Sequence, residues 1–238
     1  MNRISVVIPT LQKNKTILEK LINILERDNS VSEIILIDNS RSGYETTHEK
    51  VKVIIPGENE NLYVNQSWNK GAENASEEIF ALFNDDLLVC ENFCSKVLDL
   101  INDKSDTGCI GMATSSVINT TVYNYPEETV FELEEDKSER PFNWGTIIFC
   151  KKNLYKAIPE NIKIWCGDDF IRYSVLENSK KIYDLKNAVI YHVGGLSSKN
   201  PELTRIKHND VFELGKIIPD FKETTAYKSI AEKYARTE

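Results

Sequence analysis

Polar and acidic side chains that could bind a phosphate and its counterion follow three apolar runs early in the sequence. The clusters are Pro9-Thr10, Asp38-Asn39-Ser40 and Asn84-Asp85-Asp86. The adjacent carboxylates of the third cluster suit a hard divalent cation that takes oxygen ligands and a bound phosphate. Each cluster alone is also compatible with a turn, because Asp and Asn are common turn residues. No glycine-rich loop follows the first cluster, so there is neither a P-loop nor a GxGxxG dinucleotide fingerprint.

The elements that would position these clusters are short, β-branched strands separated by helices. The predicted strands are residues 4–8, 33–37, 51–55 and 79–83. The first helix is expected to begin at Thr16, because Thr16 and Glu19 have the spacing of a capping box. Strands that are apolar on both faces and alternate with helices predict a parallel sheet covered on both sides. In such a sheet the ligand lies outside the carboxyl ends of the strands, where the three clusters fall.

The second half of the chain follows a different pattern. A strand over 145–150 and a helix over 169–177 are predicted, and a sheet continuous with the first half is expected. Residues 127–139 carry seven acids against one lysine, which is typical of a solvated, mobile loop. Two amphipathic helices, broken at Pro219, follow residue 200. The last helix could pack on its own chain, on a second copy in a homodimer, or against a membrane.

Composition excludes several classes of protein. The 238 residues carry a net charge of −8, which argues against a nucleic-acid partner held by a broad positive field. The longest strictly apolar run has five residues, far short of the roughly 20 that span a bilayer, so no transmembrane segment is expected. The five cysteines form no CxxC pair and lack a second ligand pair for zinc. Reduced, buried thiols in a cytoplasmic protein are therefore expected.

Several degenerate motifs stand in one order along residues 3–198. They are V-V-I-P-T, I-L-I-D-N-S, N-x-x-x-x-x-x-x-N-x-G, F-N-D-D, FNWGTIIFCKKNLY, CGDDFIRYSV and AVIYHVGGLSS. No single motif is specific, but their order and spacing resemble family 2 glycosyltransferases with the GT-A fold. The resemblance implies an α/β, Rossmann-like, mostly parallel sheet flanked by helices, with a smaller mixed acceptor-side sheet and C-terminal helices. It implies one domain over 1–238, with a nucleotide-sugar-binding half (1–90), an acceptor-binding half (91–199) and C-terminal helices (200–238).

The resemblance also implies which residues bind a nucleotide-sugar donor. Asp38 is expected to reach the base, usually uracil in this family, and Asp85 to face the ribose or sugar. The remaining implied donor-binding residues are Pro9, Thr10, Asn39, Ser40, Asn61 and Asn69. Asn61 and Asn69 match a segment whose helix packs below the donor.

The implied metal ligands are Asp86 and His192, which would hold Mn²⁺ or Mg²⁺. Without the motif, a lone histidine such as His192 is more often a hydrogen-bonded, half-buried residue. The implied catalytic residues are Asp169, at the general-base position, and Asp168 beside it. Ser197-Ser198-Lys199, after two glycines, could form a loop that closes over the donor.

The predicted function is a metal-dependent, inverting transfer of a sugar from a nucleotide diphosphate, such as a UDP-sugar, to a hydroxyl of a glycan acceptor. Inversion is expected because a separate base without a second nucleophile favours a single displacement. In this family such transfer most often serves microbial cell-surface glycan assembly. Trp144 and Trp165 are candidates for stacking on a sugar ring, although aromatic residues beside strands more often belong to the core.

Three other functions remain open from the sequence. The acceptor could be a modified nucleic-acid base, touched by Lys151-Lys152 and Lys180-Lys181, although the acidic balance argues against it. A nucleotidyltransferase would need glycines in the LQKNK loop, which lacks them. A non-catalytic sugar-nucleotide or glycan-binding subunit would not need both Asp86 and Asp169.

Overall fold

The computed structural model describes residues 2–58, 60–138, 144–193 and 201–234. Its strands are β1 (Ile4–Thr10), β2 (Val31–Asp38), β3 (Val51–Ile54), β4 (Ile79–Phe83), β5 (Leu87–Leu88), β6 (Thr107–Met112), β7 (Val117–Asn119), β8 (Glu132–Glu135), β9 (Ile147–Lys151), β10 (Lys181–Lys186) and β11 (Ile190–His192). Its α-helices are α1 (Lys15–Arg27), α2 (Tyr63–Asn74), α3 (Phe93–Asp103), α4 (Gly167–Glu177), α5 (Pro201–Ile217) and α6 (Thr225–Tyr234).

Strands from both halves of the chain form one eight-stranded sheet in the order β3-β2-β1-β4-β9-β6-β10-β8. The first four strands are parallel, and β9 joins the two halves by pairing antiparallel with both β4 and β6. A second, mixed sheet has the order β5-β11-β7. The predicted fold class and the continuous sheet are therefore confirmed.

Two apolar layers cover the two faces of the large sheet. Successive side chains of a strand point to opposite faces, so Ile8 packs into one layer and Val7 into the other. The first layer contains the apolar faces of α1 and α3, and the second those of α2, α4 and α5. All five cysteines are buried, as the sequence predicted.

The start of α1 and the acidic segment differ from the sequence predictions. Helix α1 begins at Lys15, and the side chain of Asn14 caps it by accepting a hydrogen bond from the backbone N–H of Ile17 at 3.3 Å. The predicted Thr16 cap is wrong, because asparagine is an equally good N-cap and stands two residues earlier.

The predicted loop over 127–139 is wrong for its middle part, since Glu132–Glu135 forms the edge strand β8. This strand pairs antiparallel with β10, and the lysines of β10 neutralise its acids: Lys186 lies 2.8 Å from Glu134 and Lys181 lies 3.1 Å from Glu135.

The C-terminal helices pack on the chain itself. The Tyr227 ring of α6 meets Phe212 at 5.5 Å and Phe221 at 6.4 Å between centroids, and Ile230 is buried. This contact is the first of the arrangements that the sequence left open. Within the described ranges, none of the helices combines the length and the apolar character needed to cross a bilayer.

Glu33 is a buried carboxylate that ties β2 to its neighbours. Its Oε1 accepts hydrogen bonds from Ser5 Oγ and from the backbone N–H of Ser76, both at 2.7 Å, and its Oε2 pairs with Lys52. Burial by itself raises the pKa of Glu33, but these hydrogen bonds outweigh it and lower the pKa to about 2. The ionised form is therefore held more tightly in the folded state than in the unfolded chain.

Because the folded pKa of Glu33 lies below the ordinary value of 4.5, its stabilising contribution is complete above that value and is lost as the pH falls toward 2. We expect Glu33→Gln to lower the free energy of unfolding at pH 7 by about 1–3 kcal/mol, with a smaller loss at pH 3. Urea denaturation at both pH values measures this. The exposed Glu49→Gln variant is the control, and equal effects of the two substitutions would contradict the assignment.

Candidate functional site

The carboxyl ends of β1, β2 and β4 bring the three predicted clusters together. Thr10 and Asp38 are register partners at the ends of β1 and β2, and the backbone N–H of Asn39 donates to the carbonyl of Thr10 at 2.9 Å. The hydroxyl of Thr10 donates to Asp85 Oδ2 at 2.6 Å, which fixes the turn after β4 against the end of β1. Pro9 lies one residue before, paired with Ile37. This edge is also the point where the strand order reverses, on either side of β1.

Three acceptor atoms near the ends of β1 and β2 are buried and accept no hydrogen bond from the described residues. Asp38 Oδ1 accepts from the backbone and side chain of Ser40, whereas its Oδ2 has no hydrogen-bond partner among the described residues. The Asn39 amide donates to Ser67 Oγ at 2.8 Å, which leaves Asn39 Oδ1 open. Gln12 donates to the carbonyl of Gly43 at 3.0 Å, and its Oε1 is open too. A buried acceptor without a donor costs about 1–3 kcal/mol, so these atoms fit a ligand edge that presents N–H groups.

Gln12 was not singled out from the sequence. Its only signal there is its place two residues after Thr10, in a loop that follows a strand end.

The two carboxylates after β4 have different surroundings. Burial raises the pKa of Asp85, the hydrogen bond from Thr10 opposes this shift, and the charge of Asp86 adds to it. Asp86 is more exposed, and its Oδ2 lies 3.1 Å from His192 Nε2. The hydrogen bond to Asp86 raises the pKa of His192, against the effect of burial.

The small sheet places His192 beside Asp86. Strand β5 begins directly after Asp86, and β11, which ends at His192, pairs with β5. The backbone N–H of Val193 then donates to the carbonyl of Asp86 at 2.8 Å. The structure thus joins the two residues that the resemblance implied as metal ligands. Gly194-Gly195 and Ser197-Ser198-Lys199, the predicted closing loop, lie outside the described residues.

The ligand atoms of Asp86 and His192 suit a divalent cation that a diphosphate also binds. In the part of the chain that the structure describes, no three His, Cys, Asp or Glu side chains form a complete cation site. Asp86 and His192 offer one oxygen and one nitrogen, so phosphate oxygens and water would supply the other positions, as is usual for cations bound together with phosphates. The carboxylate, the phosphate oxygens and water suit Mn²⁺ and Mg²⁺ alike, and the imidazole adds a ligand that transition metals accept.

The two acids that were predicted to lie on the acceptor side stand in the first turn of α4. Cys166 precedes this helix with a left-handed φ of 64°, and Asp168 and Asp169 follow Gly167. Acidic side chains at this position are stabilised by the helix dipole. Asp169 is 7% exposed, whereas Asp168 is more accessible and packs against Gly145.

Two residues that were not predicted from the sequence fix the segment before α4 by hydrogen bonds to its backbone. Asn65 is fully buried and donates to the carbonyls of Ile162 and Trp165, at 3.2 and 3.1 Å. Asp210 on α5 is also fully buried and accepts from three consecutive backbone N–H groups at 2.8–3.0 Å, those of residues 163–165. The sequence signal for Asn65 was its position inside the N-x-x-x-x-x-x-x-N-x-G motif. Asp210 had none.

Two predicted donor-binding asparagines do not join the group of residues at the strand ends. The Asn69 amide donates to the carbonyl of Ile158 at 2.8 Å, and its oxygen accepts from Tyr155 OH at 2.7 Å and from the backbone N–H of Ile158 at 2.8 Å. Its hydrogen-bonding groups are thus used within the protein, so we correct its predicted contact with the donor to a structural role. Asn61 is exposed and accepts from the backbone N–H of Tyr63 at 3.0 Å.

Trp144 cannot stack on a sugar, because it is fully buried. A Cβ atom at Gly111 would lie 2.1 Å from its indole ring, and the guanidinium of Arg172 lies 5.5 Å from the ring centroid. Arg172 in turn forms a buried ion pair with Asp136. Trp165 is partly exposed just before α4, with Lys207 Nζ 5.9 Å from its ring.

Taken together, the fold and the site define an α/β protein whose crevice at the strand-order reversal offers open acceptors, paired carboxylates and a carboxylate–histidine pair. The sequence model of the family described as Glycosyl transferase family 2 matches residues 5–181, and the chain belongs to this family. No sequence among curated proteins matches the chain significantly.

Solved structures share the fold at low sequence identity. Residues 1–349 of S. aureus TarS in complex with UDP-GlcNAc align over 90% of this chain and 66% of that chain, with 14% identity and a TM-score of 0.64. GalNAc-T7 with UDP, GalNAc and Mn²⁺ aligns over 99% and 57%, with 16% identity and a TM-score of 0.62. The mannosyltransferase PcManGT from Pyrobaculum calidifontis with GDP-Man and Mn²⁺ aligns over 98% and 69%, with 16% identity and a TM-score of 0.59. The chain spans only 40% of a further TarS chain.

Proposed function

We propose that this protein transfers a sugar from a nucleoside diphosphate donor to a hydroxyl of a glycan acceptor, in a reaction that needs a divalent cation. The observation that carries the proposal is a pair of contacts at the carboxyl edge of the sheet. Thr10 donates a hydrogen bond to Asp85, and the neighbouring Asp86 contacts His192. Membership of the family supports it. The similar solved chains hold UDP-GlcNAc, UDP with Mn²⁺, or GDP-Man with Mn²⁺.

The open acceptors favour a base that presents N–H groups at its edge. Asp38 Oδ2 is suited to the ring N–H of uracil, and a uridine donor is our first choice. Guanine presents more N–H groups than uracil. The competing possibility is therefore a guanosine diphosphate sugar, whose additional N–H groups Asn39 Oδ1 and Gln12 Oε1 would accept. Thr10 and Pro9 would line the same pocket.

The carboxylate–histidine pair would hold Mn²⁺ or Mg²⁺ next to the diphosphate. When bound, such a cation neutralises the phosphate oxygens and assists the departure of the leaving group as a Lewis acid. Asp86 and His192 would fix its place, and Asp85, held by Thr10, would face the ribose or the sugar.

On the acceptor side, Asp169 is the proposed general base. It would take the proton of the acceptor hydroxyl as that oxygen bonds to the anomeric carbon and the bond to the diphosphate breaks. Asp168 would orient the acceptor. One displacement without a covalent intermediate inverts the anomeric carbon, by analogy with inverting glycosidases.

The remaining parts of the proposal concern setting and organisation. Residues 1–238 would act as one unit, which the pairing of β4 with β9 supports. The burial of all five cysteines supports a reducing, cytoplasmic setting. Assembly of a microbial surface glycan and a homodimer stay predictions.

A thermal-shift screen tests the proposal. UDP, GDP and their sugar derivatives are added with and without Mn²⁺, because preferential binding to the folded state raises the melting temperature. We expect a rise that needs both a nucleotide and Mn²⁺ and is larger for uridine than for guanosine. A larger rise for guanosine would reverse the choice of base. No rise with any nucleotide and Mn²⁺ would contradict the proposed function.

A further inference from the structure

We propose that Asn119 is a positioning residue that orients His192 toward the cation. The proposal rests on the proposed function, in which Asp86 and His192 hold that cation. Asn119 is the last residue of β7 and belongs to none of the sequence motifs.

Strand pairing places Asn119 beside His192. Strands β7 and β11 are parallel, with Asn119 and His192 as register partners at their ends. The backbone N–H of Thr120 donates to the carbonyl of His192 at 3.0 Å, which extends the pairing past both residues. The side chains then meet on the same face, with Asn119 Oδ1 2.9 Å from His192 Nδ1.

The imidazole of His192 is therefore held at both nitrogens. Nδ1 faces the Asn119 amide oxygen, and Nε2 faces Asp86 Oδ2 at 3.1 Å. An amide oxygen only accepts hydrogen bonds, so Nδ1 is the nitrogen that donates its proton to Asn119. The Asp86 carboxylate is an acceptor too and takes a hydrogen bond from Nε2–H when no cation is bound, so a cation held by Asp86 and Nε2 would replace this second proton.

This arrangement matches how proteins usually prepare a histidine ligand. A ligating histidine commonly donates its second N–H to a carbonyl or carboxylate, which fixes the tautomer and the ring orientation. Here Asn119 supplies that acceptor from a different strand. Loss of such a partner typically weakens metal affinity about 10–100-fold.

The first test is Mn²⁺ affinity in the presence of UDP, measured from the electron paramagnetic resonance signal of free Mn²⁺. We expect Asn119→Ala to weaken Mn²⁺ binding about 10–100-fold. Asn119→Asp should restore it, because the carboxylate keeps an acceptor oxygen. Asn124→Ala, an exposed asparagine on the same segment, is the control. Unchanged Mn²⁺ affinity of Asn119→Ala would overturn the proposal.

A double-mutant cycle shows whether Asn119 acts through His192. In a His192→Ala background, Asn119→Ala should cause no further loss of Mn²⁺ affinity, whereas a persisting loss would overturn the proposal.

Nitrogen-15 NMR of the histidine rings reports which ring nitrogen carries the proton. This property would not depend on Asn119 if its role were merely structural. With His192→Ala used for assignment, the His192 ring of the protein loaded with UDP and the diamagnetic cation Zn²⁺ should carry its proton on Nδ1, and a proton on Nε2 in that complex would overturn the proposal. If wild type with UDP binds no Mn²⁺ at all, the proposed function fails together with this inference.

Discussion

Replacing Asp86 with alanine should abolish sugar transfer and the Mn²⁺-dependent part of nucleotide binding while the protein stays folded. The negative charges of a diphosphate and of the carboxylates Asp85 and Asp86 repel each other. Binding of the diphosphate there therefore depends on a cation that Asp86 helps to hold. The fold should survive, because the contact of residue 86 with Val193 uses the backbone carbonyl and the Asp86 side chain is partly exposed. Calorimetry of UDP binding with and without Mn²⁺ measures the effect.

The matched control for Asp86 is Asp103→Ala, which removes an exposed carboxylate at the end of α3. It should leave both transfer and Mn²⁺-dependent binding unchanged. If Asp86→Ala binds UDP as wild type does in the presence of Mn²⁺, Asp86 is not a cation ligand.

The second large effect is expected at Asp169. Asp169→Asn keeps the size of the side chain but cannot accept a proton, so transfer should fall by roughly 10²–10⁴, the usual contribution of a positioned general base. Donor affinity should change little, because Asp169 lies on α4 and the residues that we propose to bind the donor lie at the ends of β1, β2 and β4. Steady-state kinetics with varied donor separates the two quantities.

Asp168→Asn is the comparison for Asp169, since the two acids share the first turn of α4. It should lower transfer less, in keeping with an orienting role. A larger loss at Asp168 would move the base to the more exposed carboxylate. Near-normal transfer by both variants would remove an acceptor-side base from the mechanism.

The grouping of residues at the carboxyl ends of β1, β2 and β4 could be predicted because its signals are local. Each apolar run is long enough to be a strand, and the residues that follow it lie at the same edge once the strands are parallel. Thr10, Asp38 and Asp85 needed only this rule to be placed together. The apolar pattern does not depend on knowing which strands are neighbours.

Features that depend on distant pairing could not be predicted in this way. The charge run around Glu132–Glu135 looked solvated, because nothing local shows that the lysines of β10 face it. The contact of Asn119 with His192 depends on the pairing of two three-residue strands far apart in the sequence. Trp144 was ambiguous for the same reason, since the glycine against which it packs lies on β6.

The activity that we propose for this chain is the turnover of a nucleotide sugar with the help of a cation. Release of nucleoside diphosphate from UDP-sugars and GDP-sugars by the purified protein tests this most directly, in Mn²⁺, in EDTA, and after Mn²⁺ is restored. We expect release in Mn²⁺, none in EDTA, recovery on restoring the cation, and none from Asp86→Ala. Tight nucleotide-sugar binding without any release, even with candidate glycan acceptors present, would contradict the claim and indicate a binding subunit instead.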